Sequence, residues 1–379
     1  MVRTLWQGER KLSDEQTAVV KSILRGERTL FAASPPARED DICYQLPAYI
    51  CASLVPRSLT LVVVPNGPPT CTHLDALPTG MNGACLHRTI QAKEYALLVK
   101  RLIAGSVKML FITADRVVSP SFQSLLGDLR MPPVRFVCIQ GAHAILPQSS
   151  AFRASYARLL AYIKTRQQSC RLLAMTNVVM DATVAGIASS LEIGLDSISA
   201  GTLKFRRNVC LSVDEAEDKD AALLAFLRRS DMAYINAILV YAMRQADVNR
   251  IAGHLNTNDI SAVTYHAGMS PEELERVEYK FACGKARVMV ATAAMQRAGQ
   301  QHGLRGLIHY HMPESVERYL FDIGTIGADG RPEPVAVQRF VEHLFPADLA
   351  DDRCKTATRS LLLNMPELEM TLDVDRLYS

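Results

Sequence analysis

The chain has 379 residues, 49% of them hydrophobic and 21% charged, with a formal net charge of +3. These proportions exclude a disordered or low-complexity chain and allow two domains of ordinary size, each with its own core. The weak positive balance excludes a chain-wide field for nucleic acid, so any such binding needs a local patch.

The opening stretch MVRTLWQGERKLSDEQ is polar and lacks an apolar h-region, so a secretory leader is not expected. From about residue 12 to 195 strands and helices alternate. The predicted strands are TLFAAS (29–34), LTLVVVP (59–65), KMLFIT (108–113), VRFVCIQ (134–140) and RLLAMT (171–176). Each is a short continuous apolar run, as parallel strands buried on both faces require. Between them, QAKEYALLVKRLIAG and DATVAGIASSLEI have helical spacing. The polar stretch DSISAGTLKFRRN reads as a hinge. A second series follows: VCLSVD, AILVYA (237–242), SAVTYH (261–266), RVMVAT (287–292) and GLIHYHMP (306–313). The expected fold is α/β: two tandem domains with mainly parallel sheets, 1–200 and 201–335, followed by a short helical tail, 336–379.

The nine cysteines are scattered, with no C-x-x-C pair and no Cys/His cluster, so no metal site is expected. Several fall inside apolar runs, the pattern of buried free thiols in a reducing compartment. No apolar run reaches the roughly 20 residues of a membrane span, and no membrane partner is expected.

One turn stands out. TLFAAS is followed by PPAREDD and then by ICYQLPA, an apolar helix opening. A strand, turn and helix in that order commonly cradle phosphate in a glycine-rich loop ending in Lys-Ser or Lys-Thr. This turn has two prolines, no glycine and three consecutive acids.

In chain order, LSDEQTAVV, ICYQLPA, LTLVVVP, FVCIQGAH, AFRASY, ILVYAMR, AVTYHAGMS, RVMVATAA and IHYHMPESVERYLFDIGTIGADGRP are similar to stretches of the RecQ family of superfamily 2 DNA helicases. The segments NVCLSVDEAEDKDAALLAFL and LLLNMPELEMTL resemble its Rothmund–Thomson-type branch. The resemblance implies two RecA-like domains, ATP and Mg²⁺ as cofactors, DNA as partner and a nuclear location. It also shows where this chain departs. The family turn T-G-x-G-K-S is replaced by Pro36 to Asp41, so the phosphate-neutralising lysine falls on Asp40 and the magnesium-binding hydroxyl on Asp41. The D-E-A-H stretch becomes Gln140-Gly141-Ala142-His143, without either acid. A family tryptophan becomes Gln148, while Phe152 and Arg153 remain. The relay T-A-T-A becomes Thr176-Asn177-Val178-Val179. The acid of F-G-M-G-[IL]-D becomes Gln300, and both arginine fingers of G-R-A-G-R-D-G become Thr325 and Ala328.

Physical chemistry disfavours nucleotide in such a turn. Backbone amides cannot close on phosphate without glycine's dihedral freedom. A carboxylate 4 Å from a phosphate charge costs roughly 4 kcal/mol at an effective dielectric of 20. Two such contacts cancel a micromolar site, which is worth only about 8 kcal/mol. The expectation is therefore a helicase relative with no catalytic residues and no cofactor, whose catalytic positions are degenerate at Asp40, Asp41, Gln140, Gly141, Thr325 and Ala328. Gln16 and His143 are vestiges of the nucleotide site. By itself, Gln16 reads as a surface or capping residue, because its companion family arginine is Ser13, and His143 reads as a packed histidine.

By the same resemblance Thr113, Arg153, Arg244 and His266 match nucleic-acid contacts, and Arg206, Arg207, Arg228 and Arg229 could add a basic patch. The expected partners are single-stranded or forked DNA and replication or repair proteins. Two alternatives stay open: a protein-interaction scaffold, which predicts an exposed apolar patch away from the old nucleotide site, and an active, diverged ATP-dependent helicase.

Overall fold

The computed structural model describes residues 12–33, 38–64, 74, 77–86, 90–146, 154–166, 170–201, 209–216, 218–233, 235–266, 268–292, 304–311, 313, 319, 322–323 and 335–341. The chain divides into two compact units, Met1–Leu203 and Lys204–Ser379.

The first unit is built on a seven-stranded parallel sheet. Its strands are β1 (Arg28–Ala32), β2 (Leu59–Val64), β3 (Gly83–Leu86), β4 (Met109–Thr113), β5 (Val134–Gln140), β6 (Arg171–Thr176) and β7 (Ile198–Ala200), in the order β3-β4-β2-β5-β6-β1-β7. Alternate residues feed opposite faces. Leu30, Leu61, Val63, Leu110, Ile112, Val137 and Ile139 pack into a core shared with the helices Ala92–Ile103, Ala154–Arg166 and Asp181–Leu191. Phe31, Val62, Val64, Phe111, Phe136 and Cys138 pack on the other face against the helices Asp14–Arg25 and Ile42–Leu54. Coverage on both sides explains why these strands read as unbroken apolar runs.

Arginines fasten helix ends to this frame. Arg171 donates from Nε to the Ile23 carbonyl at 3.1 Å, and Arg28 from Nη1 to the Leu191 carbonyl at 2.9 Å. Each guanidinium thus meets the negative end of a helix and donates to one of its last carbonyls.

The second unit holds a six-stranded parallel sheet of β8 (Val209–Glu215), β9 (Ile238–Tyr241), β10 (Ala262–Tyr265), β11 (Val288–Ala291), β12 (Gly306–His309) and β13 (Val335–Val341), in the order β10-β11-β9-β12-β13-β8. Its helices are Lys219–Arg228, Gln245–Thr257 and Pro271–Ala282. Arg287 again caps a helix, reaching the carbonyls of Leu227 at 3.0 Å and Met232 at 2.6 Å.

One expectation needs correction. The tail was expected to turn helical near 335, but Val335–Val341 is a strand in register with β12 on one side and β8 on the other. VAVQRFV has apolar residues at helical spacing, yet its valines suit a pleated strand, and the gap between β8 and β12 supplies hydrogen-bond partners along both edges. Residues 342–379 lie outside the described residues. The boundary between the two units, Leu203/Lys204, falls inside the polar stretch read as a hinge, whose beginning also forms β7, paired with β1 from Leu30↔Ile198 to Ala32↔Ala200.

Candidate nucleotide site and strand-end contacts

Parallel sheets present their ligand positions where strands end and helices begin. In the first unit those positions follow β1, β5 and β6. After β1, a short 3-10 turn, Arg38–Asp41, leads into the helix Ile42–Leu54. The positive end of this helix is where phosphate would be favoured. Asp40 and Asp41 stand there instead, both half-buried.

Gln16 lies against this turn. It belongs to the helix Asp14–Arg25, whose start is a capping box: the Gln16 backbone N–H donates to Ser13 Oγ at 3.1 Å, and the Ser13 N–H donates to Gln16 Oε1 at 3.1 Å. The remaining amide nitrogen, Nε2, donates to Asp40 Oδ1 at 3.1 Å. Gln16 is therefore a capping residue as expected but not a surface one, being only 8% exposed. Its amide is engaged at both ends.

The two acids also bias their surroundings. Burial first, then the negative charges of Asp40 and Asp41, push the Cys43 thiol far above its ordinary range. Burial, followed by Asp41, does the same to the Tyr44 phenol and the Cys138 thiol. The potential in this corner is negative, the reverse of what a triphosphate requires. Asp40, at the position that the resemblance gives to a phosphate-binding lysine, already accepts a protein hydrogen bond. Among the described residues, no group of three or more His, Cys, Asp or Glu could hold a metal ion.

At the end of β5, Gln140 is followed by Gly141 at φ 62°, a left-handed turn that glycine adopts without strain. Tyr156 donates its hydroxyl to the Gln140 carbonyl at 3.3 Å. His143 Nδ1 pairs with Thr176 Oγ1 at 3.0 Å, and that same oxygen accepts the Val178 N–H at 3.1 Å. The histidine thus ties the end of β5 to the end of β6 within the first unit.

The proposed nucleic-acid positions are distributed as follows. Thr113 ends β4 and is 8% exposed, so little of it is offered to a ligand. Arg153, Thr325, Ala328, Arg206 and Arg207 lie outside the described residues. In the second unit, Arg244 precedes the helix Gln245–Thr257 and is exposed, and His266 follows β10. Gln245, the residue after Arg244, lies near His266: a β-carbon on Gly268 would lie 2.8 Å from Gln245 Oε1 and 3.3 Å from His266 Nδ1. Two of the other basic candidates are engaged locally. Arg228 donates to the Asn258 carbonyl at 3.1 Å, and Arg229 pairs with Asp231 at 2.7 Å.

Sequence reasoning missed two polar clusters in the second unit. His309, fully buried, pairs through Nε2 with Asp322 at 3.3 Å and lies against the rings of Tyr241 and Tyr319. Asp220 binds both Arg250 and Tyr310, with Tyr310 donating to it at 2.8 Å and Arg250 donating to Tyr310 at 3.0 Å. Partners 13 to 90 residues apart leave no periodic trace in the chain.

Comparison with known proteins agrees with this architecture. The family model "Helicase conserved C-terminal domain" matches residues 218–328. The chain is 30% identical over 339 residues to the ATP-dependent DNA helicase Q4 of Homo sapiens, covering 86% of this chain and 28% of that protein. It is 25% identical over 344 residues to the ATP-dependent DNA helicase RecQ of Bacillus subtilis, covering 88% and 56%. It thus spans only part of the length of these relatives. Among solved structures it is similar to the DUF1998 helicase MrfA bound to DNA, with TM-score 0.68, 13% identity, and coverage of 94% of this chain and 49% of that one. It is likewise similar to S. cerevisiae Dbp5 bound to RNA and ADP BeF3, with TM-score 0.64, 13% identity, and coverage of 94% and 88%. The fold is that of two tandem RecA-like domains, and the chain is a homologue of the RecQ-like helicases.

Proposed function

We propose that this protein is a helicase relative of the Rothmund–Thomson-type branch that neither hydrolyses ATP nor unwinds DNA, and that keeps weak, sequence-independent nucleic-acid binding in a nuclear replication or repair setting. The observation that carries this reading is the Gln16–Asp40 hydrogen bond of 3.1 Å. The glutamine matching the family's adenine reader is bound to a carboxylate at the position of the family's phosphate-binding lysine. Nucleotide would have to displace that bond and then meet two negative charges. The intact strand cores support selection for the fold: polar intrusions there cost several kcal/mol, and a chain drifting freely would be expected to collect them.

ATP turnover in the presence of single-stranded DNA tests the first half. The expected outcome is no turnover above background, and no rise in Tm with a non-hydrolysable ATP analogue and Mg²⁺, since only a ligand of the native state raises it. Hydrolysis at helicase-like rates would make the protein an active, diverged helicase instead.

Arg244, exposed beside Gln245, and His266, which lies near Gln245 across Gly268, support the second half. A labelled oligonucleotide should bind at low salt and be released as salt rises, because the contacts are to phosphates. Arg244→Ala should make the log–log salt slope shallower by about 0.7, the value of one phosphate contact on a single strand. Absence of binding at low salt would remove this function.

A further inference from the structure

The strand starts of the first sheet form a surface that nothing above uses. The loops entering β2, β4 and β5 meet at one edge and are held together by two cations. Arg57 donates through Nη2 to the carbonyls of Ile103 at 3.1 Å and Arg130 at 2.7 Å. Lys108 donates through Nζ to the carbonyls of Pro56 and Gly105, the latter at 2.8 Å. Beside them stand Leu54, the last residue of the helix Ile42–Leu54 and 76% exposed, and on the loops Val55, 39% exposed, and Leu129, 102% exposed.

Single exposed leucines are ordinary, but here three apolar side chains stand on or beside loops that one arginine joins. Their charged frame is one-sided. Arg57 and Lys108 spend their hydrogen bonds on neutral carbonyls, so no carboxylate among the described residues offsets their charge. Asp128 is the acid on these loops, and Arg130 already binds it at 2.7 Å. The surface therefore offers leucines within a positive field. It has no aromatic platform among its described residues, which argues against single-stranded nucleic acid as the occupant.

We propose that this edge docks an acidic amphipathic segment of a partner protein, its apolar face on Leu54, Val55 and Leu129 and its carboxylates facing Arg57 and Lys108. The strands are six or so residues long, so the edge lies on the order of 20 Å from the Asp40–Gln16 corner. A partner could thus be held without touching the ends where nucleic acid is expected. This inference does not depend on loss of ATP hydrolysis.

The test uses the full chain and a labelled synthetic amphipathic helix with Leu and Phe on one face and Glu on the other. Controls carry Lys for Glu, or Ser for the apolar residues. Anisotropy should show binding of the first peptide alone, weakened at high salt. Leu129→Ser and Arg130→Glu, both on exposed side chains, should each weaken it by about tenfold, worth roughly 1.4 kcal/mol, with unchanged circular dichroism melting for Leu129→Ser and a slightly lower Tm for Arg130→Glu, which also breaks the pair with Asp128. The proposal is overturned if the acidic peptide does not bind, or if the Lys peptide binds equally well. It is also overturned if Leu129→Ser instead abolishes a concentration-dependent dimer, which would assign the face to a second copy. Loss of oligonucleotide binding in Arg130→Glu would assign it to nucleic acid.

Discussion

Within the first unit, the bodies of the strands and the residues just beyond them live under different rules. Leu30 to Ala32 of β1 and Phe136 to Ile139 of β5 are almost wholly buried, while Gln140, which ends β5, and Asp40, Asp41 and Gly141, which lie beyond the strands, are half-exposed. In the strand bodies each side chain is constrained by neighbours on every side, and a polar substitution there costs the fold directly. At the strand ends a change of charge is tolerated by the fold and felt only by a ligand. Chemistry can therefore be lost at the ends while the sheet stays intact, and this chain has the residues expected of such a history.

The sharpest way to break that comparison is to exchange a strand-body residue for alanine. Phe111 is fully buried in β4 and packs edge-on against Tyr44, with ring centroids 6.4 Å apart. Phe111→Ala should lose about 3–5 kcal/mol in urea unfolding, from transfer plus the cavity left behind. A loss below about 1 kcal/mol would show that the strand bodies are no more constrained than the ends.

The next effect is smaller and belongs to the ends. Gln16→Ala removes half a capping box and leaves Asp40 without one of its donors, so it should cost about 1 kcal/mol. Combined with Asp40→Ala in a double-mutant cycle, the coupling should be about 0.5–1.5 kcal/mol. Zero coupling would mean the hydrogen bond carries no energy and that the occupied amide is no obstacle to nucleotide.

The same division governs what could be seen in the sequence. LTLVVV, MLFIT, VRFVCIQ and RLLAMT were legible because strands covered on both faces must be apolar throughout. β3 and β7 were not: GACL and ISA are edge strands of four and three residues with partly exposed side chains, too short to show a period. Val335–Val341 misled because its pattern fits either period, and only the neighbours β8 and β12 decide. At the site, the acids in the turn could be read directly, as could the loss of both acids after β5. That Gln16 reaches Asp40, or that His143 reaches Thr176, could not, since residues 24 and 33 positions apart meet only once the sheet has set their elements side by side.

The smallest effect lies at the opposite edge of the sheet, where charge is held on the surface and not in a corner. Arg130 donates to both oxygens of Asp128 and also gives it a backbone N–H, and these bonds lower the carboxyl pKa to about 2. In the unfolded chain an aspartate titrates near 3.9. The folded value is depressed, so the stabilisation is fully present above the unfolded pKa and disappears as pH falls from about 5 toward 2. Asp128→Asn should consequently have a slightly lower Tm than the parent at pH 6, and the two melting curves should converge as pH approaches 2. High salt should shrink the difference at pH 6 as well, because exposed pairs are screened. A difference that stayed constant across this range would mean that the carboxylate charge contributes nothing there, leaving Leu129 and its loop held by Arg57 and by backbone bonds such as Met131 N–H to the Asp128 carbonyl.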